Sequence, residues 1–154
     1  MISAGIYLFD WIDYFSNLIN MADTLNPDKR SWNMSQIKDK DSKPELLVRS
    51  YLHGRGFRFR TNVKNLPGRP DIVLKKYNAL VFVDGCFWHR HRGCKYAYTP
   101  KSRKDFWKTK FRNNIQRDKI VNRELNDNGW NVHRIWECEI NEENLLGLAK
   151  QIKK

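Results

Sequence analysis

The sequence predicts an α/β domain, a short mixed β-sheet flanked by helices. Three observations carry that expectation. Two apolar, β-branched runs, residues 71–74 and 79–83, are short and bounded by turn residues, as buried strands are. Apolar residues recur at near-four spacing from about residue 103 to 128, the period of a long helix. A third strand-like run, 130–136, leads into a last helical segment. At 154 residues the chain suits one domain that buries its core without disulfide staples.

Residues 1–20 carry no Lys or Arg, unlike the rest, and Met21 follows at once. They read as an extension ahead of the domain, the alternative being an amphipathic helix packed on it. Residues 21–41 are polar and read as an arm, with Trp32 and Met34 as apolar anchors; the main domain spans 42–154. Ser42-Lys-Pro-Glu45 has the form of a capping box, with Glu45 reaching back to the Ser42 amide and Pro44 in the first turn. Leu47, Val48, Tyr51 and Leu52 form the apolar stripe of that helix, and Gly54 is expected to stop it. Residues 57–61 alternate as a half-buried strand, and Pro70 is expected to hold Arg69 extended. The runs 71–74 and 79–83, joined by Lys76-Tyr-Asn78, form an antiparallel hairpin. That pairing puts Asp71, at the start of one strand, and Asp84, at the end of the other, at one end of the sheet. In the long helix Trp107, Phe111, Ile115, Val121 and Leu125 set the spacing and Gly129 ends it. The strand 130–136 precedes Cys138, and a final helix carries Leu145, Leu148 and Ile152.

Lys and Arg number 29 against 17 Asp and Glu, a formal net charge of +12. Such an excess suits a polyanion, because each phosphate neutralised releases counterions; a generally basic surface is the plainer alternative. The basic residues are spread along the chain, which argues against one amphipathic helix on a membrane. Three cysteines cannot pair off, so a reducing compartment fits better than a disulfide framework. No run approaches the ~20 apolar residues of a membrane span. The apolar stretch 2–18 is broken by Asp10 and Asp13 and lacks the basic start of a signal peptide.

The chemistry is concentrated after residue 83, where Asp84, Cys86, Phe87-Trp88, which reads as an exposed aromatic pair, His89, His91 and Cys94 follow within eleven residues. Cys86, His91, Cys94 and the distant Cys138 offer three sulfurs and one imidazole, the donor set of a closed structural zinc site; free buried cysteines are the alternative. Asp71 and Asp84 could hold Mg²⁺, which favours carboxylate oxygens. His89, outside the zinc set, could move a proton to or from a reacting oxygen. Hydrolysis of a phosphodiester fits both this set and the basic surface.

Pro67-Gly-Arg-Pro-Asp71, Val83-Asp-Gly-Cys-Phe-Trp-His89, Phe106-Trp107, Arg117-Asp118 and Trp136-Glu-Cys138 together resemble the very short patch repair (Vsr) endonucleases, from about Lys29 to Cys138. The resemblance implies a restriction-endonuclease-like fold and a Mg²⁺-dependent nick 5′ to the thymine of a T:G mismatch, which begins repair of deaminated 5-methylcytosine. It implies Asp71 as principal metal ligand, the Val83 carbonyl as another, His89 as general base and Glu45 as an acidic helix residue near the site. Cys86, His91, Cys94 and Cys138 match the structural zinc ligands. Phe87, Trp88 and Trp107 match an aromatic wedge, Lys110 and Asn114 the contacts to the mismatched bases, and Met34 the DNA-touching arm. Two departures stand out: Asp84 replaces a histidine of the best-known members, so its place as a second metal ligand and catalytic group follows from chemistry, and Gly93 is inserted between His91 and Cys94. The implied setting is a monomeric enzyme on double-stranded DNA in the bacterial cytoplasm, at the nucleoid, with mismatch-repair proteins as candidate partners. Two alternatives remain open. One is a nuclease of the same fold in a restriction–modification or transposition system without mismatch specificity; the other is a zinc-stabilised DNA-binding module without chemistry.

Overall fold

A mixed sheet of order β1-β2-β3 forms the centre of a computed structural model of the chain, which describes Asn26, Asp28, Lys29 and residues 40–154. The extension 1–20, Trp32 and Met34 lie outside the described residues. Strands β1 (Ile72–Leu74) and β2 (Ala79–Asp84) pair antiparallel, Ile72 opposite Val81 and Leu74 opposite Ala79. Strand β3 (Asn131–Trp136) lies parallel on the other side of β2, with Ala79 opposite Asn131 and Asp84 opposite Trp136. The helices are α1 (Lys43–Gly54), the single turn α2 (Cys86–His89), the long α3 (Lys104–Asp127) and α4 (Glu142–Ile152). Parallel neighbours need a crossover, and α3 supplies it between β2 and β3.

The pleat divides the core in two. Ile72, Leu74, Ala79 and Val81 pack with Val48 and Leu52 of α1 and with Leu145, Leu148 and Ile152 of α4. Val73, Leu80 and Phe82 meet Val121 and Leu125 of α3 on the opposite face. Complete burial of Leu52, Leu80 and Leu125 contributes about 1.5–3 kcal/mol for each. The sheet is therefore sandwiched between helices, as the apolar periods predict. No helix of the described residues is long and apolar enough to cross a membrane.

Five local expectations are corrected. Ser42 is the N-cap of α1, but its hydroxyl donates to Glu45 Oε1 at 2.7 Å, and Glu45 Oε2 accepts the amide of Asp41, at 2.9 Å, instead of that of Ser42. A carboxylate is the stronger acceptor for the hydroxyl, so the box closes one residue early. Gly54 remains inside the helix; the residue that turns the chain is Gly56, at φ 84°. Residues 57–61 form no strand, only an isolated bridge between Arg60 and Val73, so their alternation reports the burial of Phe57 rather than pairing. Arg69 is not extended. It sits at φ 53° with its amide on the Leu66 carbonyl at 3.2 Å, because the 66–69 turn overrides the preference that Pro70 imposes. Beside it Gly68 takes φ 70°, and a Cβ there would lie 2.5 Å from Val121 Cγ1, so glycine lets this loop rest on α3. Finally, Ile115 is 37% exposed, and the buried stripe of α3 runs instead through Phe111, Asn114, Val121 and Leu125.

Candidate active site and metal centre

Strands β2 and β3 are parallel and in register at Asp84 and Trp136, so Cys86 and Cys138 each leave the sheet two residues later at the same end. Chain reversal through α2 and Arg90, at φ 58°, brings His91 and Cys94 back to them. The ligand atoms of Cys86, His91, Cys94 and Cys138 all lie within 4.8 Å of one another. His91 Nδ1 is 3.2 Å from Cys138 Sγ and 3.6 Å from Cys86 Sγ, and the Cys94 and Cys138 sulfurs are 3.7 Å apart. A tetrahedral zinc with ~2.3 Å Zn–S bonds sets sulfurs about 3.8 Å apart, so the four residues fit that ion. The imidazole is held in place: it stacks on Trp136 at 4.3 Å, and its Nε2 lies 3.4 Å from Glu139 Oε1. Burial pushes the Cys86 thiol far up and the Cys138 thiol to about 11, a cost that a bound dication would reverse.

The same strand end carries the acids. Asp71 Oδ2 accepts the Val83 amide at 2.7 Å, which fixes the carboxyl across the hairpin, and Arg49 Nη2 donates to the Asp71 carbonyl at 3.3 Å. Burial pushes the Asp71 carboxyl up to about 6 against the Val83 amide, with Glu45 and Asp84 adding to the rise and Arg49 opposing it. A carboxylate that is costly to ionise, with two more acids pressing on it, suits a divalent cation. Glu45 is buried on α1 and bound to Arg49 at 3.0 Å. Asp84 is only 3% exposed, and both its oxygens accept from Arg134 Nη1 at 2.7 Å. Its charge is thus balanced by an arginine that the sequence reading did not single out.

His89 closes α2 and faces α3. Its Nδ1 lies 2.5 Å from Asp118 Oδ2 and 3.9 Å from Asp84 Oδ1. Burial pushes the Asp118 carboxyl up, yet the hydrogen bond and charge of His89, with Arg134 and Arg117, outweigh it and hold the group below its ordinary value. An ionised carboxylate only accepts, so Nδ1 carries a proton, and in the neutral ring it is Nε2 that is left with the lone pair. Glu137, also buried, accepts the Cys86 amide at 2.7 Å at the start of α2. Asp118, Arg134 and Glu137 are functional candidates that the residue-level reading left without roles. The available signal for Asp118 was its polar place on the core-facing stripe of α3.

The aromatic residues are brought together, with one correction. Phe87 is not part of an exposed pair; it is 4% exposed and ringed by Trp88, Tyr98, Trp107 and Phe111 at centroid distances of 5.0–5.3 Å. The first turn after β2 points it inward. Trp88 and Trp107 are half-buried, 6.1 Å apart, and Phe106 beside them is 47% exposed. Lys110 is exposed, but Asn114 is buried and its amide donates to the Trp88 carbonyl at 3.0 Å, so the two are not equivalent surface contacts.

Comparison with known proteins gives the family of the chain. Residues 22–95 match the family model described as DNA mismatch endonuclease Vsr. The chain is 44% identical over 122 residues to the type II nicking enzyme V.XorIIP of Xanthomonas oryzae pv. oryzae, covering 79% of this chain and 89% of that protein. It is 44% identical over 138 residues to the type II nicking enzyme V.NmeAIP of Neisseria meningitidis, covering 86% and 98%. To the DNA mismatch endonuclease Vsr of Escherichia coli it is 39% identical over 120 residues, covering 78% and 76%. The chain belongs to the Vsr family, with its restriction-endonuclease-like fold, and is a DNA endonuclease.

Proposed function

We propose that the protein nicks one strand of duplex DNA 5′ to the thymine of a T:G mismatch, using Mg²⁺, and so begins short-patch repair of deaminated 5-methylcytosine. The observation that supports this most is the convergence at the end of β2 of Asp71, the His89–Asp118 pair and the Cys₃His cluster. Magnesium held by Asp71 and the Val83 carbonyl, with Glu45 alongside and Asp84 turned to Arg134, would neutralise charge on the phosphate and acidify a water. Asp118 fixes the ring and tautomer of His89, whose Nε2 accepts the proton of the attacking water. Zinc at Cys86, His91, Cys94 and Cys138 anchors the turn that carries His89. The active unit is residues 42–154, working as a monomer on DNA in the cytoplasm, with 21–41, including Met34, as a DNA-contacting arm and 1–20 as a dispensable extension.

Trp88 and Trp107, backed by Phe87, form the wedge that enters the duplex beside the mismatch, with Lys110 and Asn114 near the mismatched bases. Unstacking costs a few kcal/mol per step, and a mispaired step has met part of that already. Base–aromatic stacking returns roughly 1–3 kcal/mol. Trp88→Ala should therefore lower the ratio of T:G to T:A binding about fivefold or more, while non-specific binding and its salt dependence stay put. An unchanged ratio at fixed salt would remove Trp88 from mismatch recognition.

Incision of end-labelled duplexes carrying T:G, T:A or C:G at one position, with Mg²⁺ or with chelator, tests the main reading. A Mg²⁺-dependent nick on the T strand of the T:G duplex alone is expected. Equal nicking of all three would favour a second reading, a nicking enzyme of a restriction–modification system without mismatch specificity, in keeping with the Xanthomonas and Neisseria relatives, which are named type II nicking enzymes. Binding without incision would leave a zinc-stabilised DNA-binding module.

A further inference from the structure

Phe82 of β2 is opposite Arg134 of β3 in the parallel register, and Asp84 lies two residues further on the same face. Arg134 therefore crosses diagonally, its guanidinium 4.7 Å from the Phe82 ring centroid and its Nη1 on both oxygens of Asp84 at 2.7 Å. Its Nε donates to Asn122 Oδ1 at 3.1 Å, and its Nη2 is 4.0 Å from Asp118 Oδ1. Asn122 and Asp118 are one turn apart on α3, so one side chain ties β2, β3 and α3 together around His89. We propose that Arg134 is a positioning residue for the nicking reaction: by engaging Asp84 it leaves Asp118 as the acceptor for His89 Nδ1, and so aims Nε2 at the scissile phosphate.

The reasoning is a competition between two carboxylates. His89 Nδ1 is 2.5 Å from Asp118 but only 3.9 Å from Asp84. Freed of the guanidinium, Asp84 would be a buried acceptor without its cation, and the Nδ1–H of His89, 3.9 Å away, would be within reach of a small ring rotation. Rotation of the ring toward Asp84 would carry Nε2 out of line, and an ångström of misplacement costs on the order of a hundredfold in rate. The assignment rests on the hydrolytic reading above and gives Asp84 a part in the reaction as the partner of Arg134.

Single-turnover nicking and duplex affinity should be measured for R134M, R134K and the double variant D84N/R134M. Alongside, the Nδ1 proton resonance of His89 should be followed in the full chain. R134M is expected to lose roughly a hundredfold in rate with affinity unchanged, and the resonance should shift or vanish. R134K, which restores one charge, should recover part of both. The double variant should recover more of the rate than R134M and restore the resonance, because the competing charge is gone; it also remains readable if R134M folds poorly. Two results would overturn the proposal: a double variant as slow as R134M, which would make Asp84 essential in its own right, or weakened duplex affinity at full rate, which would make Arg134 a phosphate contact. If the wild-type chain fails to nick, the functional reading falls, while the resonance still decides the role of Arg134.

Discussion

Asp71→Asn is expected to lower nicking on the order of a thousandfold or more and, without metal at neutral pH, to leave the fold more stable than wild type. The two effects have one cause. The loop 66–70 and the Val83 amide fix Asp71 where its charged form is poorly solvated, with Glu45 and Asp84 pressing on it. The folded chain therefore holds a proton on Asp71 up to about pH 6, whereas the unfolded chain releases it near its ordinary value of 3.8. The folded state binds more protons in that window, so the contribution of Asp71 to stability is greatest below the unfolded value and falls as pH climbs through about 6. Asparagine carries no such charge, and its amide oxygen can still accept from Val83. Magnesium should raise the melting temperature of wild type at pH 7.5 and much less at pH 5, where a proton competes for the carboxyl, and should not raise that of Asp71→Asn. Melting curves with and without Mg²⁺ at both pH values check the stability part, and incision assays check the rate, which His89→Ala should also abolish. A variant that nicks at the wild-type rate, or one stabilised by Mg²⁺ as wild type is, would take Asp71 out of the metal site.

What could be read from the sequence divides along physical lines. The hairpin 72–84 is local, its turn is made by Asn78 and its runs are apolar, so both strands and the shared end of Asp71 and Asp84 were visible in the chain. Three of the four donors of the Cys₃His set are equally local, lying within nine residues of Cys86 through Cys94. The Asp84–Arg134 clamp was not visible, because it depends on a parallel register between strands 50 residues apart. The role of Asp118 was hidden by a choice of stripe on α3. Counting Ile115 as apolar core left Asn114 and Asp118 off the buried face. The stripe 107, 111, 114, 118, 121, 125 keeps a strict four–three alternation and puts two polar residues against the site. Phe87 misled for a related reason: an aromatic after a strand end reads as exposed until the turn that follows it is known.

Cys138→Ser should cost on the order of 4 kcal/mol or more, a large share of the ~5–15 kcal/mol that a domain of this size has to lose. Cys86, His91 and Cys94 come from one short stretch, and Cys138 is the donor that joins them to the far side of the chain, 44 residues beyond Cys94. Ligation through Cys138 therefore closes a long loop and joins the end of β2 to the end of β3, where the free energy of metal binding becomes free energy of folding. Serine offers a hard, neutral oxygen where a soft thiolate is wanted, so three donors would remain without closure. The catalytic turn should suffer with the centre, because α2 carries Cys86 at one end and His89 at the other, and Glu137, adjacent to Cys138, accepts the Cys86 amide. Natively purified wild-type chain should contain one zinc by elemental analysis, resistant to the mild chelation that removes magnesium. Cys138→Ser should hold less zinc, melt well below wild type and nick weakly even at temperatures where it is folded. Wild-type protein free of zinc, or a serine variant that melts with wild type, would reduce the cluster to three buried thiols and a histidine.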